Sequence, residues 1–429
     1  MQPKSKHKIT TLTGIAIVVA NMIGTGAFTS LGFQLKDLNN PSVVLTLWVL
    51  GGILALSGAF SYAEVGTVIS KSGGEYAFLS KIYNPLIGYL SGWISLTVGF
   101  AAPIAFSEYF PFGNFNVKWM SIALVAVITL IHTRSLKLSA EFQNISTLLK
   151  VILIVIIISI GLVLPEHSGN EIVSSKGYFT ELTSTAFAIA LIYVSYSYSG
   201  WNAAAYITEE FENPLKSLPK ALIGGTVLVT VLYTLLQYVF LKHVPVNDLA
   251  GQLNVGTIAT KQMLGEKAGS FFGLAISLLL ISGISAMVWV GPRVTLSIAK
   301  EHRLWSYFQT QENGIPKRAL WLQFGISALL LLTGTFEQIM IYCGILLTAS
   351  SLMTVLGVFK LRKQNQNQQI KGFKSPLFPL FQIVFILLSV WMITYAFINN
   401  PFETILGMSN LLIGTGTYFW SKKLEKSNY

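Results

Sequence analysis

Two short stretches of the chain set glycine among amide and hydroxyl side chains in the middle of long apolar runs: Asn21-Met22-Ile23-Gly24-Thr25-Gly26 and Ser195-Tyr196-Ser197-Tyr198-Ser199-Gly200-Trp201-Asn202. Glycine tolerates backbone that departs from a helix. A helix interrupted at such a point leaves amide N–H groups free where its second half begins and carbonyls free where its first half ends. The N–H end carries partial positive charge and suits a carboxylate; the carbonyl end carries partial negative charge and suits an ammonium. An α-amino acid zwitterion presents both groups. Two interruptions side by side would hold one without any charged side chain, and Thr25 would add a hydroxyl donor.

Lys150 is the other residue with chemistry to offer, because it lies in the apolar run from Phe142 to Pro165. Nine residues beyond Glu141, it sits roughly 13 Å along a helix from the inner end. An ammonium at that depth is costly unless it is partnered or functional; a side chain reaching back to the surface is the alternative. Arg293, Glu209, Glu210, Glu64 and Glu75 fall near predicted helix ends or loops, as gate residues or as solvated ends and loop anchors. Glu108 belongs at the outer surface, and Trp289 and Trp93 read as interfacial aromatics or as occluding rings.

Other chemistries find little support. The single cysteine, Cys343, permits no intramolecular disulfide and no thiolate cluster, and the five histidines do not recur at ligand spacing. No cofactor and no metal are expected. A net charge of +11 would suggest nucleic acid for a soluble protein, but here Lys and Arg separate apolar runs. Lipid headgroups are their expected neighbours, and no nucleic acid is expected.

The elements that position these groups are transmembrane helices. Of 429 residues 52% are hydrophobic and 11% charged, with a mean hydropathy of +0.61, whereas soluble domains carry roughly 25% charged residues. Twelve runs approach the roughly 20 residues that cross a bilayer: 9–35, 38–63, 82–107, 119–133, 142–165, 182–208, 221–241, 268–292, 319–336, 338–359, 375–402 and 404–421. Threading them with the N-terminus inside puts 21 Lys and Arg on the cytoplasmic segments and 6 outside, as the positive-inside rule requires. The basic leader Lys4, Lys6, Lys8 precedes a run too long for a signal peptide and without a small-residue cleavage site. The expectation is an all-α membrane protein of about twelve helices in the cell (inner) membrane, with both termini cytoplasmic. The polar breaks fall in the first and sixth spans, matching places in two five-helix halves, and such pairing marks transporter sites built on inverted repeats. Small residues also serve as helix packing faces; the matched positions favour a site.

The residues also carry a resemblance. Gly24-Thr25-Gly26-Ala27-Phe28 resembles the G-S-G-I-F signature in helix 1 of the amino acid/polyamine/organocation superfamily. Gly200-Trp201-Asn202, Thr208-Glu209-Glu210, Asn213-Pro214 and Leu218-Pro219-Lys220-Ala221 resemble helix 6 and the following loop of its L-type amino acid transporter branch. Tyr62-Ala63-Glu64 with Ser72-Gly73-Gly74-Glu75-Tyr76 is similar to the end of helix 2 and its loop, and Gly291-Pro292-Arg293 to helix 8. The resemblance implies a LeuT-type fold of 5+5 inverted repeats with broken helices 1 and 6. It gives a cytoplasmic tail at 1–8, a transport core at 9–360 with repeats at about 9–165 and 182–360, a loop at 361–374, peripheral helices in 375–421 and a tail at 422–429. It implies that Thr25 and Gly26 meet the substrate carboxylate, that carbonyls of Met22, Tyr196 and Ser199 meet the amine, and that Trp201 and Asn202 line the pocket or its inner gate. Ile23, Gly24 and Gly200 belong to the same two segments. Lys150 would occupy the place that sodium takes in LeuT-like relatives, against the first break and helix 8, with its protonation linked to substrate binding. Ser282 and Ser285 are the alternative sodium ligands. The light chains of this branch bind a partner glycoprotein through a cysteine after helix 3; Phe110 to Lys118 contains none, so no disulfide-linked heavy chain is expected.

The expected function is a secondary transporter of amino acids, proton-coupled or exchanging, and not an enzyme. Polyamines or cationic amino acids are the alternative substrates; helices 1 and 6 carry no Asp or Glu in their binding segments, which favours neutral ones. A channel would show a repeated filter or charged ring, and a membrane enzyme a cluster of catalytic residues; neither pattern is present.

Overall fold

The structure is a computed structural model that describes residues 9–99, 117–134, 136–170, 172, 177–309, 315–333, 336–365 and 372–426. Among them every regular element is helical, apart from one isolated bridge between Ile9 and Phe211. The first helix, α1 (Thr11–Met22), stops short and resumes as α2 (Gly26–Gln34), the pair bent by 40°. Then come α3 (Pro41–Ile69), α4 (Glu75–Ile82), α5 (Pro85–Val98), α6 (Val117–Arg134), α7 (Leu136–Val163), α8 (Tyr178–Leu182) and α9 (Thr185–Ser197). A 3-10 helix over Ala203–Glu210 follows, then α10 (Pro214–His243), α11 (Val246–Leu249), α12 (Val255–Glu301), α13 (Lys317–Thr333), α14 (Phe336–Gln364), α15 (Leu380–Asn399) and α16 (Pro401–Lys426).

Local sequence sets these limits. Side chains of Thr10, Asn40, Asn84 and Ser184 accept from amide N–H groups of the turn that follows, at 2.9–3.3 Å, and Pro41, Pro85 and Pro214 each stand in a first turn. These positions suit capping residues and a proline that lacks an N–H to satisfy. Lys242 closes the far end of α7, its ammonium donating to the carbonyls of Gly161, Leu162 and Leu164 at 3.1, 3.0 and 2.6 Å.

By length and composition six described helices can cross a membrane, and the bent α1/α2 pair makes a seventh span. The chain is therefore a multi-pass helical membrane protein. Two expected spans correspond to apolar helices that are shorter, α5 and α9. The loop expected after α3 instead contains α4, entered through Gly73 and Gly74 at φ +113° and +56°. The expected outer segment between residues 242 and 267 is also partly helical: it holds α11 and the start of α12, which kinks at Gly265. The tail at 1–8, residues 366–371 of the loop expected at 361–374, and Glu108 lie outside the described residues, and the start of that loop is the end of α14.

One large apolar core runs through the bundle, with a second small cluster of Tyr76, Tyr89, Val294, Ile298 and Tyr418 beside it. α3 packs along α10, α10 along α1, and α2 along α9. Small residues allow the close crossings: a Cβ on Gly225 would stand 2.7 Å from Val18, and one on Gly52 would collide with Thr230.

Candidate functional site

At the first break, the amide of Gly24 donates back to the carbonyl of Met22 at 2.8 Å across Ile23, whose φ of −74° and ψ of 89° describe a tight inverse γ-turn. The helix restarts on Thr25, and the amides of Thr25, Gly26 and Ala27 donate to no acceptor among the described residues. The Thr25 side chain makes no capping bond. These are the unsatisfied donors of a helix N-terminus, inside an apolar bundle.

The second break follows α9. The amide of Ser199 donates to the carbonyl of Tyr196 at 2.9 Å, that of Ala203 to Gly200 at 3.0 Å, and the chain turns through Gly200 at φ +97°. A side chain there would be strained by the backbone and would also meet the Asn21 carbonyl at 2.7 Å. One step away, a Cβ on Gly26 would stand 2.8 Å from the Ser197 Cα. Ser30 and Ser197 exchange a hydroxyl hydrogen bond at 2.9 Å. The two interruptions thus touch, backbone to backbone.

Lys150 reaches them from α7. Only 2% exposed, it donates to the carbonyl of Ile23 at 2.5 Å and to that of Ala20 at 3.4 Å. Gly283 of α12 closes the other side: a Cβ there would lie 3.6 Å from the Gly24 Cα and 3.7 Å from the Lys150 Nζ. The buried ammonium therefore has two partial negative charges from the end of α1. Ser285, one of the alternative sodium ligands, shares its hydroxyl with His132 Nε2 at 2.8 Å; the side chain of Ser282 lies outside the described residues.

A cavity of about 140 Å³, on the order of ten times what one water needs, opens beside the second break. Tyr196, Ser199, Gly200, Trp201 and Asn202 all line it, with Asn21 from α1 and residues of α3, α5, α12 and α14. Trp201 stacks edge-on to Tyr62 with centroids 4.6 Å apart. The structure does not bring the whole expected set together: Met22, Ile23, Gly24, Thr25 and Gly26 are not in the cavity lining, where α1 is represented by Asn21, which abuts Gly200.

Two of the carbonyls expected to meet an amine already carry hydrogen bonds within the fold. The Met22 oxygen already accepts from the Tyr233 hydroxyl at 2.6 Å and from the Gly24 amide, which occupies both its lone pairs. The Tyr196 oxygen holds the Ser199 amide. The Ser199 carbonyl accepts no hydrogen bond among the described residues. The sequence shows neither Tyr233 nor its target, because the contact spans 211 positions.

Glu75, which the sequence offers as a gate residue or a loop anchor, stands in the wall of the cavity itself. It lies 3% exposed in the cavity wall, its Oε1 accepting from the Tyr62 hydroxyl at 2.8 Å and the Asn202 amide at 2.5 Å. The Gly-Gly before it and the polar run around it were the available signal. The other charged candidates divide. Glu64 holds Arg362 through two bonds of 2.6 and 2.8 Å, and Arg293 stacks on Trp289 with Glu210 at 3.9 Å. Glu209 laces to Ser72. Neither Trp289 nor Trp93 lines the cavity.

A membrane-embedded helical bundle with an interrupted span, packed on a second interruption that lines a cavity, is the construction of a solute carrier. The particular family follows from comparison: residues 9–418 match the amino acid permease family, and the chain belongs to it. It is 29% identical to the mouse b(0,+)-type amino acid transporter 1, over 97% of this chain and 89% of that protein. It is 26% identical to the serine/threonine exchanger SteT of Bacillus subtilis strain 168, over 98% of both. It is also 26% identical to the human cystine/glutamate transporter, over 97% of this chain and 86% of that protein. The chain is accordingly a permease and not an enzyme.

Proposed function

We propose that this permease carries neutral α-amino acids by alternating access around its two broken helices, as a proton-coupled transporter or an exchanger. The observation that carries the reading is the contact of the two breaks, Gly26 against Ser197 and Gly200 against Asn21: one break holds N–H groups without an acceptor among the described residues at Thr25, Gly26 and Ala27, and the other holds the open carbonyl of Ser199 in the cavity wall. A carboxylate fits the first and an ammonium the second. Relatives named for amino acid transport and serine/threonine exchange support the substrate class.

Neutral side chains are favoured because the two binding segments lack acids. The acid nearest in function, Glu75, is engaged by Tyr62 and Asn202. Lys150 stands as a tethered cation on the Ile23 carbonyl, where a free cation would otherwise bind, and its proton is the coupling element in this reading. The finer architecture follows the same line: twelve spans in two inverted five-helix repeats over about 9–165 and 182–360, peripheral helices in 375–421, an inner-membrane location and cytoplasmic ends. The lone Cys343 is buried, which supports operation without a disulfide-linked heavy chain.

Purified protein in proteoliposomes, loaded with unlabelled amino acid and presented with each labelled one in turn, tests the reading. Saturable counterflow of neutral amino acids is expected. Uptake confined to polyamines, or a conductance without counterflow, would overturn it.

A further inference from the structure

We propose that Glu75 is a positioning residue for the transport cycle: from α4, outside both broken helices, its carboxylate holds the second break through Asn202 and governs how fast that segment moves. The inference rests on the reading that the second break moves during transport.

Its geometry is lopsided. Oε1 takes two donors, the Tyr62 hydroxyl from α3 at 2.8 Å and the Asn202 amide from the break at 2.5 Å. Oε2 is buried and has no hydrogen-bond partner among the described residues. Charge-assisted hydrogen bonds are roughly twice as strong as neutral ones, and an unsatisfied buried acceptor carries a desolvation penalty. Both protein donors thus sit on one oxygen, and the other is open to a further donor.

A replacement donor stands next to it. The phenol of Tyr206, in the 3-10 helix just after the break, lies beside the same carboxylate. The Tyr206 ring is pressed against Gly74, where a Cβ would come within 2.5 Å of it, and the Tyr206 carbonyl accepts from the Gly73 amide at 3.1 Å. The remaining groups facing Glu75 on neighbouring elements are uncharged: Ser95 of α5 and Ser351 of α14 line the same cavity. No Lys or Arg is among the lining residues. Asn202 is thus held by a charge whose other donor, Tyr62, belongs to α3, while the segment carrying Asn202 and Tyr206 can slide across the carboxylate and exchange one donor for the other. A contact of this kind sets the rate of movement and leaves substrate affinity alone.

Two variants separate reach from charge. Glu75→Gln keeps the length and an acceptor oxygen; Glu75→Asp keeps the charge but draws it back by one methylene, away from Asn202. In proteoliposome counterflow, Glu75→Asp, which loses reach, should lower the maximal rate about tenfold with half-saturation within about twofold, and Glu75→Gln, which keeps reach but holds Asn202 through a weaker neutral bond, should lower it about threefold. A second readout uses Thr348→Cys in the cavity wall, with Cys343→Ala removing the native thiol. Glu75→Asp should shift the ratio of labelling by an impermeant thiol reagent from the two membrane faces. The proposal is overturned if Glu75→Asp behaves as wild type while Glu75→Gln is inactive, if either variant raises half-saturation at unchanged maximal rate, or if only cationic substrates are affected. Absence of counterflow in the wild type would instead defeat the reading of function on which this one stands.

Discussion

The ammonium of Lys150 lies 2.5 Å from the carbonyl oxygen of Ile23, the residue at which the first helix stops. A charge from α7 is thereby tied to the backbone that a broken helix exposes. Breaking the helix leaves carbonyls that nothing in lipid would satisfy, and the lysine supplies the donor. The same turn leaves the N–H groups of Thr25 and Gly26 without an acceptor among the described residues, next to the carbonyl that the lysine holds.

Lys150→Ala removes that cation and is expected to abolish amino acid accumulation driven by a pH gradient, while counterflow between equal pools persists at reduced rate. Uptake into proteoliposomes with and without an imposed gradient measures both. Unchanged gradient-driven accumulation would remove Lys150 from the coupling.

Gly200→Ala tests the contact between the breaks. The residue has φ +97°, and the added methyl would stand 2.7 Å from the Asn21 backbone. Strain of about 1–3 kcal/mol is expected from such a conformation, with further loss from displacing the first break. Thermal unfolding in detergent should show a lower midpoint, and counterflow should fall by about tenfold or more. A variant with wild-type stability and rate would mean that the breaks do not need to touch.

Much of this was legible beforehand. Gly24, Gly26 and Gly200 in otherwise apolar runs announce interruptions, because at that depth irregular backbone survives only around a cavity or a partner. Lys150 was legible for the same reason: a lone cation in lipid must have found something to hold. What the sequence could not show is which lone pairs the fold itself consumes. Met22 and Tyr233, 211 positions apart, meet only after α1 and α10 pack together. Glu75 was hidden differently. Its polar surroundings read as a loop, and the short α4 that carries it into the cavity wall begins at a Gly-Gly turn with little helical pattern of its own.

Tyr233→Phe leaves the Met22 carbonyl buried with only the Gly24 amide, at a cost of about 1 kcal/mol in stability. It also frees a lone pair beside the first break. A small drop in unfolding midpoint with tighter half-saturation is expected if that oxygen can then reach a substrate ammonium. Looser half-saturation would show that the tyrosine positions the turn rather than blocks it.

Two ion pairs offer a final contrast in how burial decides what a charge pair contributes. Glu64, 5% exposed by its side chain, accepts from both the Nε and NH2 groups of Arg362 and from the Ser375 amide at 2.8 Å, which ties α3 to α14 and to the entry of α15. Lys422 and Glu425, at 42% and 30% exposure, pair within one turn of α16. Breaking a buried pair leaves one charge without a partner and is costly, whereas exposed pairs contribute little because water and salt already screen them. Arg362 is itself 31% exposed, so the full cost of a buried pair is discounted to about 1–3 kcal/mol. Arg362→Ala should therefore lower the unfolding midpoint clearly, and Lys422→Ala should leave it within error. Equal effects from the two substitutions would show that the Glu64 carboxylate is solvated by other means and that the α3–α14 staple contributes no more than a surface contact.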